Sequence, residues 1–176
     1  MTSFRAARLT ALILTAGVAL SATAFADERS AALRLDGYRA VYNLDYDRAD
    51  ELFRQAIVAD PGDYAAYRGA AAAAWQRALF LRGTLLVDDY AGHTRSTKLV
   101  PMPPPPPALA AAFRRDLDRA VALAEKAVAR RYNDAAPHAG LGAALGLYVW
   151  FGSSIEARTW DPGRKARRAF SESQLA

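Results

Sequence analysis

The sequence predicts an all-α protein of antiparallel helix pairs, and three observations carry that expectation. Apolar residues recur at spacings of three and four, most clearly at Leu109, Phe113, Leu117, Ala120, Ala124 and Ala127, which marks one face of a helix. The periodic stretches are separated by stop and start signals such as Asp60-Pro61-Gly62 and Asn133-Asp134. Alanine, the strongest helix former, supplies 41 of the 176 residues, five of them in the run Ala70–Ala74. Apolar residues make up 52% and charged residues 23%, which is ordinary globular material. The length suits one domain, or one domain and a targeting segment. The absence of cysteine excludes a disulfide scaffold, a Cys-ligated metal site, a thiol nucleophile and a lipidated cysteine anchor. Two histidines leave little room for a His-rich metal centre or a Ser–His–Asp enzyme.

Residues 1–26 read as a secretory signal peptide. Arg5 and Arg8 give a positive n-region, Leu9–Leu20 an uncharged apolar h-region, and Ala24-Phe25-Ala26 an A-x-A site with cleavage after Ala26. The apolar run is short for a span of roughly 20 residues. The two arginines are not adjacent, which favours general secretion over the twin-arginine route, and the periplasm is the expected location. No other stretch reads as transmembrane; Ala139–Gly152 is apolar but short. Export would leave residues 27–176. Without Arg5 and Arg8 the 23 basic residues fall to 21 against 18 acidic ones, a net +3. The pI of about 9.7 is therefore partly the signal segment, and nucleic acid is not an expected partner.

The first helix is expected from Ser30 to Asn43. The second runs from Asp45, a candidate N-cap, to Ala59, with Asp47, Asp50 and Glu51 at the positive end of its dipole. Asp50 and Arg54 form an i,i+4 pair on its outer side. Ala49, Leu52, Phe53 and Ala56 form its buried face, and Asp60-Pro61-Gly62 ends it.

The spacing Tyr46-x-x-Ala49-x-x-x-Phe53-x-x-Ala56-x-x-x-x-Pro61 resembles the second half of a tetratricopeptide repeat. In that 34-residue unit small residues let two helices approach, an aromatic fills the gap and proline closes the pair. The resemblance implies a first unit at about 30–63, with Gly37 at the small-residue position, although Leu33 and Ala40 stand where tryptophan and tyrosine are usual. It implies a second unit from Tyr64, capped by Asp63, with Tyr67 and Ala71 in the tryptophan and small positions and a first helix extended to about Arg82 before Gly83.

That second unit, about 64–131, is interrupted at 84–107 by a segment holding Asp88, Asp89 and His93 and ending in the five prolines Pro103–Pro107. Consecutive prolines form polyproline II, so this is read as a surface excursion with a stiff end. The closing helix is expected from about Pro107 to Arg131. Asn133-Asp134 ends it and caps a third unit, about 135–176 and incomplete, whose first helix spans about His138–Phe151 with Pro137 in its first turn. Leu141-Gly142 matches the repeat's Leu-Gly pair, His138 takes the tryptophan position as a helix–helix contact, and Gly142 and Gly146 are spaced for close backbone approach. A last helix is expected within 161–176. The chain stops about where that helix should reach its closing proline, so it is read as a small protein or a piece of a longer array, the second favoured.

The motif search favours binding over catalysis. His93 with Asp88 and Asp89 reads as a solvated loop, Ser153-Ser154 lack a nucleophile elbow, and the glycines of 140–146 lie inside a helix and form no phosphate loop. No cofactor or metal is expected. The basic tail with Arg158, Arg164, Lys165, Arg167 and Arg168 reads as a solvated helix face, with anchoring to an anionic surface as a further possibility. The resemblance implies a concave groove lined by first helices, on which Arg34 and Arg68 occupy equivalent positions, Tyr38 a neighbouring one, and Trp75 and Gln76 the far end. Two guanidinium groups side by side suit a carboxylate, so the expected partner is a protein or extended peptide, acidic or engaged by its C-terminal carboxylate. The alternative is a ligand-binding protein or enzyme whose site forms where the 84–107 segment folds over the groove.

Overall fold

The computed structural model describes residues 27–83, 104–155 and 162–176. The expected signal segment 1–26 with its Ala26 site, residues 84–103 with Asp88, Asp89 and His93, and Arg158 lie outside the described residues. Every regular element among the described residues is an α-helix: α1 (27–42), α2 (Tyr46–Ala59), α3 (Tyr64–Leu81), α4 (Pro107–Arg130), α5 (Ala135–Ser154) and α6 (Pro162–Gln174). None is long and apolar enough to cross a membrane.

Local chemistry sets most of these boundaries. The Asp45 side chain accepts from Arg48 N at the start of α2, and Asp63 accepts from Ala65 N and Ala66 N at the start of α3. Between them the Asp60 carboxylate accepts from Gly62 N at 2.8 Å and holds the turn. Gly83 follows α3 with φ of +67°, a conformation that favours glycine. Pro107 begins α4, where a missing N–H costs nothing.

The packing alternates two kinds of helix. α2 and α4 carry one apolar face each, whereas α3 is alanine-rich on all sides and is sandwiched. Ala70 and Ala73 of α3 join Val41, Tyr46, Leu52 and Phe53 in one core cluster. Ala71 and Ala78 join Phe113, Leu117, Ala144 and Phe151 in a second, where the Phe113 and Phe151 rings stack 3.9 Å apart. A third cluster gathers Ala124, Leu141 and Leu145, with Ala169 of α6 packed against it.

Phe53 is fully buried and sits where three helices meet. A Cβ at Gly37 of α1 would lie 2.9 Å from its ring, and one at Gly69 of α3 only 2.2 Å. Gly37 therefore fills the small-residue role expected of it, while Gly69, two residues from the expected Ala71, makes the tightest approach. Along α5 the close approach falls at Gly140, where a Cβ would meet Tyr64 at 2.3 Å, and more loosely at Gly142 against α6. Among the described residues Gly146 has nothing within 4 Å of a built Cβ, so no close approach of the kind expected there is seen.

Contacts at both ends fix helix directions. The Tyr64 hydroxyl donates to Ala136 O near the starts of α3 and α5, and Arg82 donates to Ile155 O just past their ends, so the two helices run the same way. Phe113 near the start of α4 meets Phe151 near the end of α5, so α4 runs opposite to both.

Candidate functional site

A cleft of about 770 Å³ lies where the starts of α1 and α3, the α2–α3 turn and the C-terminal half of α4 converge. Its charged lining is Arg34, Arg119, Lys126, Arg130 and Arg131 against Asp27, Asp60 and Asp63. Two of the carboxylates are occupied by the fold. Asp60 holds its turn, and Asp63, 9% exposed, caps α3, accepts from the buried Ser30 hydroxyl at 2.6 Å and faces Arg34 Nε at 2.7 Å. Arg34 is thereby fixed against the N-cap of α3.

The cations of α4 are differently placed. Arg131 is 3.8 Å from Asp134, and Arg119 lies over the Tyr67 ring at 5.9 Å. Arg119, Lys126 and Arg130 are exposed, and no carboxylate pairs with them among the described residues. At spacings of seven and four they share one helix face, with Leu123 and Ala127 between them. The apolar stripe marked in the sequence, Leu109 to Ala127, runs beside this face, and these cations were not among the expected site residues.

Of the residues expected to line a groove, Arg34 borders this cleft and the other four do not. Arg68 and Gln76 are half-buried on α3. Tyr38 is 37% exposed, with its ring edge-on to Phe53 at 5.1 Å. Trp75 packs against the core cluster around Phe113.

A second, smaller cavity of about 220 Å³ lies among α2, α3 and α4, lined by Tyr46, Asp50, Arg54, Arg77 and Arg115 among others. Its cations are matched. Arg77 meets Asp47 at 2.6 Å, and Arg54 makes a bidentate pair with Asp116 at 2.6 and 3.0 Å. Arg115 pairs with the same carboxylate, which is almost completely buried. The hydrogen bonds that Arg54 donates to Asp116 hold the Arg54 pKa above its usual value. Arg54 does meet Asp50 at 3.2 Å, as the sequence indicates, but its stronger tie is to Asp116, 62 residues away. The Tyr46 hydroxyl is buried without a hydrogen-bond partner among the described residues, and burial raises its pKa.

His138 makes the expected helix–helix contact, through hydrogen bonds. Its side chain is 2% exposed, with Nδ1 2.6 Å from Glu172 Oε2 of α6 and Nε2 2.8 Å from the Tyr132 carbonyl. Two acceptors face the two ring nitrogens, an arrangement only the doubly protonated imidazolium satisfies. The Glu172 hydrogen bond, helped by the Tyr132 carbonyl, raises its pKa above 6.5 against the opposing effect of burial. The basic face of α6 also helps dock that helix: Arg168 pairs with Glu125 of α4 at 2.8 Å, and Lys165 Nζ sits 3.8 Å over the Tyr148 ring. Arg164 and Arg167 remain exposed.

No group of three or more metal-ligating side chains occurs among the described residues. No family model matches the chain, and neither a curated protein nor a solved structure does so.

Proposed function

We propose that this chain is a non-catalytic scaffold of tetratricopeptide-like helix pairs, exported to the bacterial cell envelope, that holds an extended segment of another protein. The observation that carries the reading is the wide polar cleft bordered by Arg34 and the cations of α4. A catalytic site converges a few reactive groups in a mostly apolar pocket. This cleft instead presents surface cations over a broad opening, which suits a charged polypeptide.

The repeat reading has support in the packing. Phe53 plugs the junction of α1, α2 and α3 against Gly37 and Gly69, which is the role the resemblance gives that aromatic. The shared direction of α3 and α5, with α4 reversed between them, agrees with stacked helix pairs. Export rests on Arg5, Arg8, the Leu9–Leu20 run and Ala24-Phe25-Ala26.

Affinity capture from envelope extract with the purified exported protein tests the scaffold. A specific partner should be retained, and Arg34→Ala should weaken retention, more strongly at low salt; adding Arg68→Ala, which lies off the cleft, tests the expected two-arginine site separately. Recovery of no partner would remove the scaffold reading. Full retention by the double variant would remove the Arg34–Arg68 carboxylate site alone. Amino-terminal sequencing of the soluble periplasmic protein should begin at Asp27; an intact 1–26 segment in the membrane fraction would refute export.

A further inference from the structure

The cationic stripe of α4 points to a more specific occupant. Arg119, Lys126 and Arg130 face one cleft, are exposed and lack carboxylate partners among the described residues, while Asp60 and Asp63 on the opposite wall are already engaged. We propose that this stripe docks an acidic polypeptide segment in extended conformation along the last three turns of α4. The proposal rests on the scaffold reading and names the class of partner and the surface that takes it.

Spacing favours a peptide over a small anion. At a rise of about 1.5 Å per residue, Arg119 and Lys126 are about 10 Å apart along the helix, and Lys126 and Arg130 about 6 Å. An extended chain advances about 3.3 Å per residue. Side chains on one face of such a chain recur every two residues, about 6.6 Å, so acidic residues on that face come within reach of all three cations through the long arginine and lysine side chains. A single phosphate or carboxylate can reach at most one of the two gaps. Leu123, Ala127 and Tyr64 line the same cleft and give the aliphatic parts of such a segment a surface to cover. Exposed ion pairs are individually weak, so recognition requires all three cations together.

The test uses the purified protein, a fluorescent hexaglutamate peptide and its hexaglutamine counterpart, followed by fluorescence anisotropy at low and high salt. Hexaglutamate should bind, increasingly as salt falls, and hexaglutamine should not. The triple variant Arg119→Gln, Lys126→Gln, Arg130→Gln should weaken binding about tenfold or more. A control variant Arg39→Gln, Arg48→Gln, Arg167→Gln removes the same charge from exposed positions outside the cleft and should bind as the unaltered protein does. Circular dichroism should show all three proteins equally helical.

Equal loss in the control would reduce the effect to net charge and overturn the proposal. So would undiminished binding by the cleft variant, or displacement of the peptide by inorganic phosphate at equal concentration. A protein that captures an envelope partner yet ignores hexaglutamate would overturn this inference and leave the scaffold reading standing.

Discussion

The two ends of this helical array are held by different chemistry. At the α1–α2–α3 junction a fully buried phenylalanine fills the gap, and glycines at 37 and 69 make room for it. At the α5–α6 junction an equally buried position carries His138, held by Glu172 and the Tyr132 carbonyl. The first contact is non-directional and independent of pH. The second is directional and exists in full only while the imidazole is charged. Burial alone therefore says little about how a junction responds to its surroundings; the chemistry of the buried group decides.

The largest effect that sharpens this contrast is at the apolar junction. Phe53→Ala should cost about 3–5 kcal/mol in chemical denaturation, since the ring leaves a cavity bounded by three helices that cannot easily collapse. A loss below roughly 1 kcal/mol would show that the ring is not a plug. Gly69→Ala should also destabilise, by about 1–3 kcal/mol from overpacking, despite the better helix propensity of alanine.

Between the two ends, Asp116 offers an intermediate case. It is buried, but both of its arginine partners reach solvent. Asp116→Ala should cost about 1.5–3 kcal/mol, the range for hydrogen bonds to charged groups. A thermal melt unchanged from the unaltered protein would mean that solvent satisfies Arg54 as well as the carboxylate does.

At the polar junction the prediction is a pH dependence. The folded pKa of His138 is raised above its unfolded value of about 6.5. Its contribution to stability is fully present below that value and is lost as pH rises through the folded pKa. The neutral ring would turn one lone pair towards an acceptor, either Glu172 or the Tyr132 carbonyl. Arg168, 3.8 Å from the other Glu172 oxygen, keeps a weaker hold on that side. Limited proteolysis of α6 should therefore accelerate as pH rises above about 6.5, while the region around Phe53 stays equally protected. Ring proton chemical shifts of His138 should titrate above 6.5, and Glu172→Gln should lower that midpoint. A midpoint at or below 6.5 in the unaltered protein would contradict the imidazolium assignment.

The same contrast explains what the sequence made legible. Helix ends follow from adjacent residues, so Asp45, Asp63, Pro61 and Pro107 announced them, and regular spacing within α2 put Phe53 on the buried face, its gap-filling role being what the repeat resemblance implied. Pairings set by the assembled helices were hidden. Nothing near Asp116 marks it as the buried partner of Arg54, and nothing near His138 points to Glu172, 34 residues on. Gly69 and Gly140 escaped notice because the decisive atoms belong to rings on other helices. Arg34 was expected to face a groove; the structure sets it against Asp63 on the wall of a cleft whose α4 cations were overlooked.

The smallest predicted effect lies where the apolar junction departs from its own logic. Tyr46 belongs to the core cluster around Phe53 and is 7% exposed, yet its hydroxyl has no hydrogen-bond partner among the described residues. A hydroxyl taken out of water and left unpaired opposes folding, whereas the ring, packed 5.7 Å from that of Phe80, favours it. Tyr46→Phe keeps the ring and removes the penalty. It should therefore stabilise the protein slightly, by about 1 kcal/mol or less, because part of the desolvation cost is regained when the unfolded chain is rehydrated with one polar group fewer. Destabilisation instead would mean that the hydroxyl is satisfied within the neighbouring 220 Å³ cavity, beside Arg54, Arg77 and Arg115, and that the junction is less purely apolar than Phe53 implies.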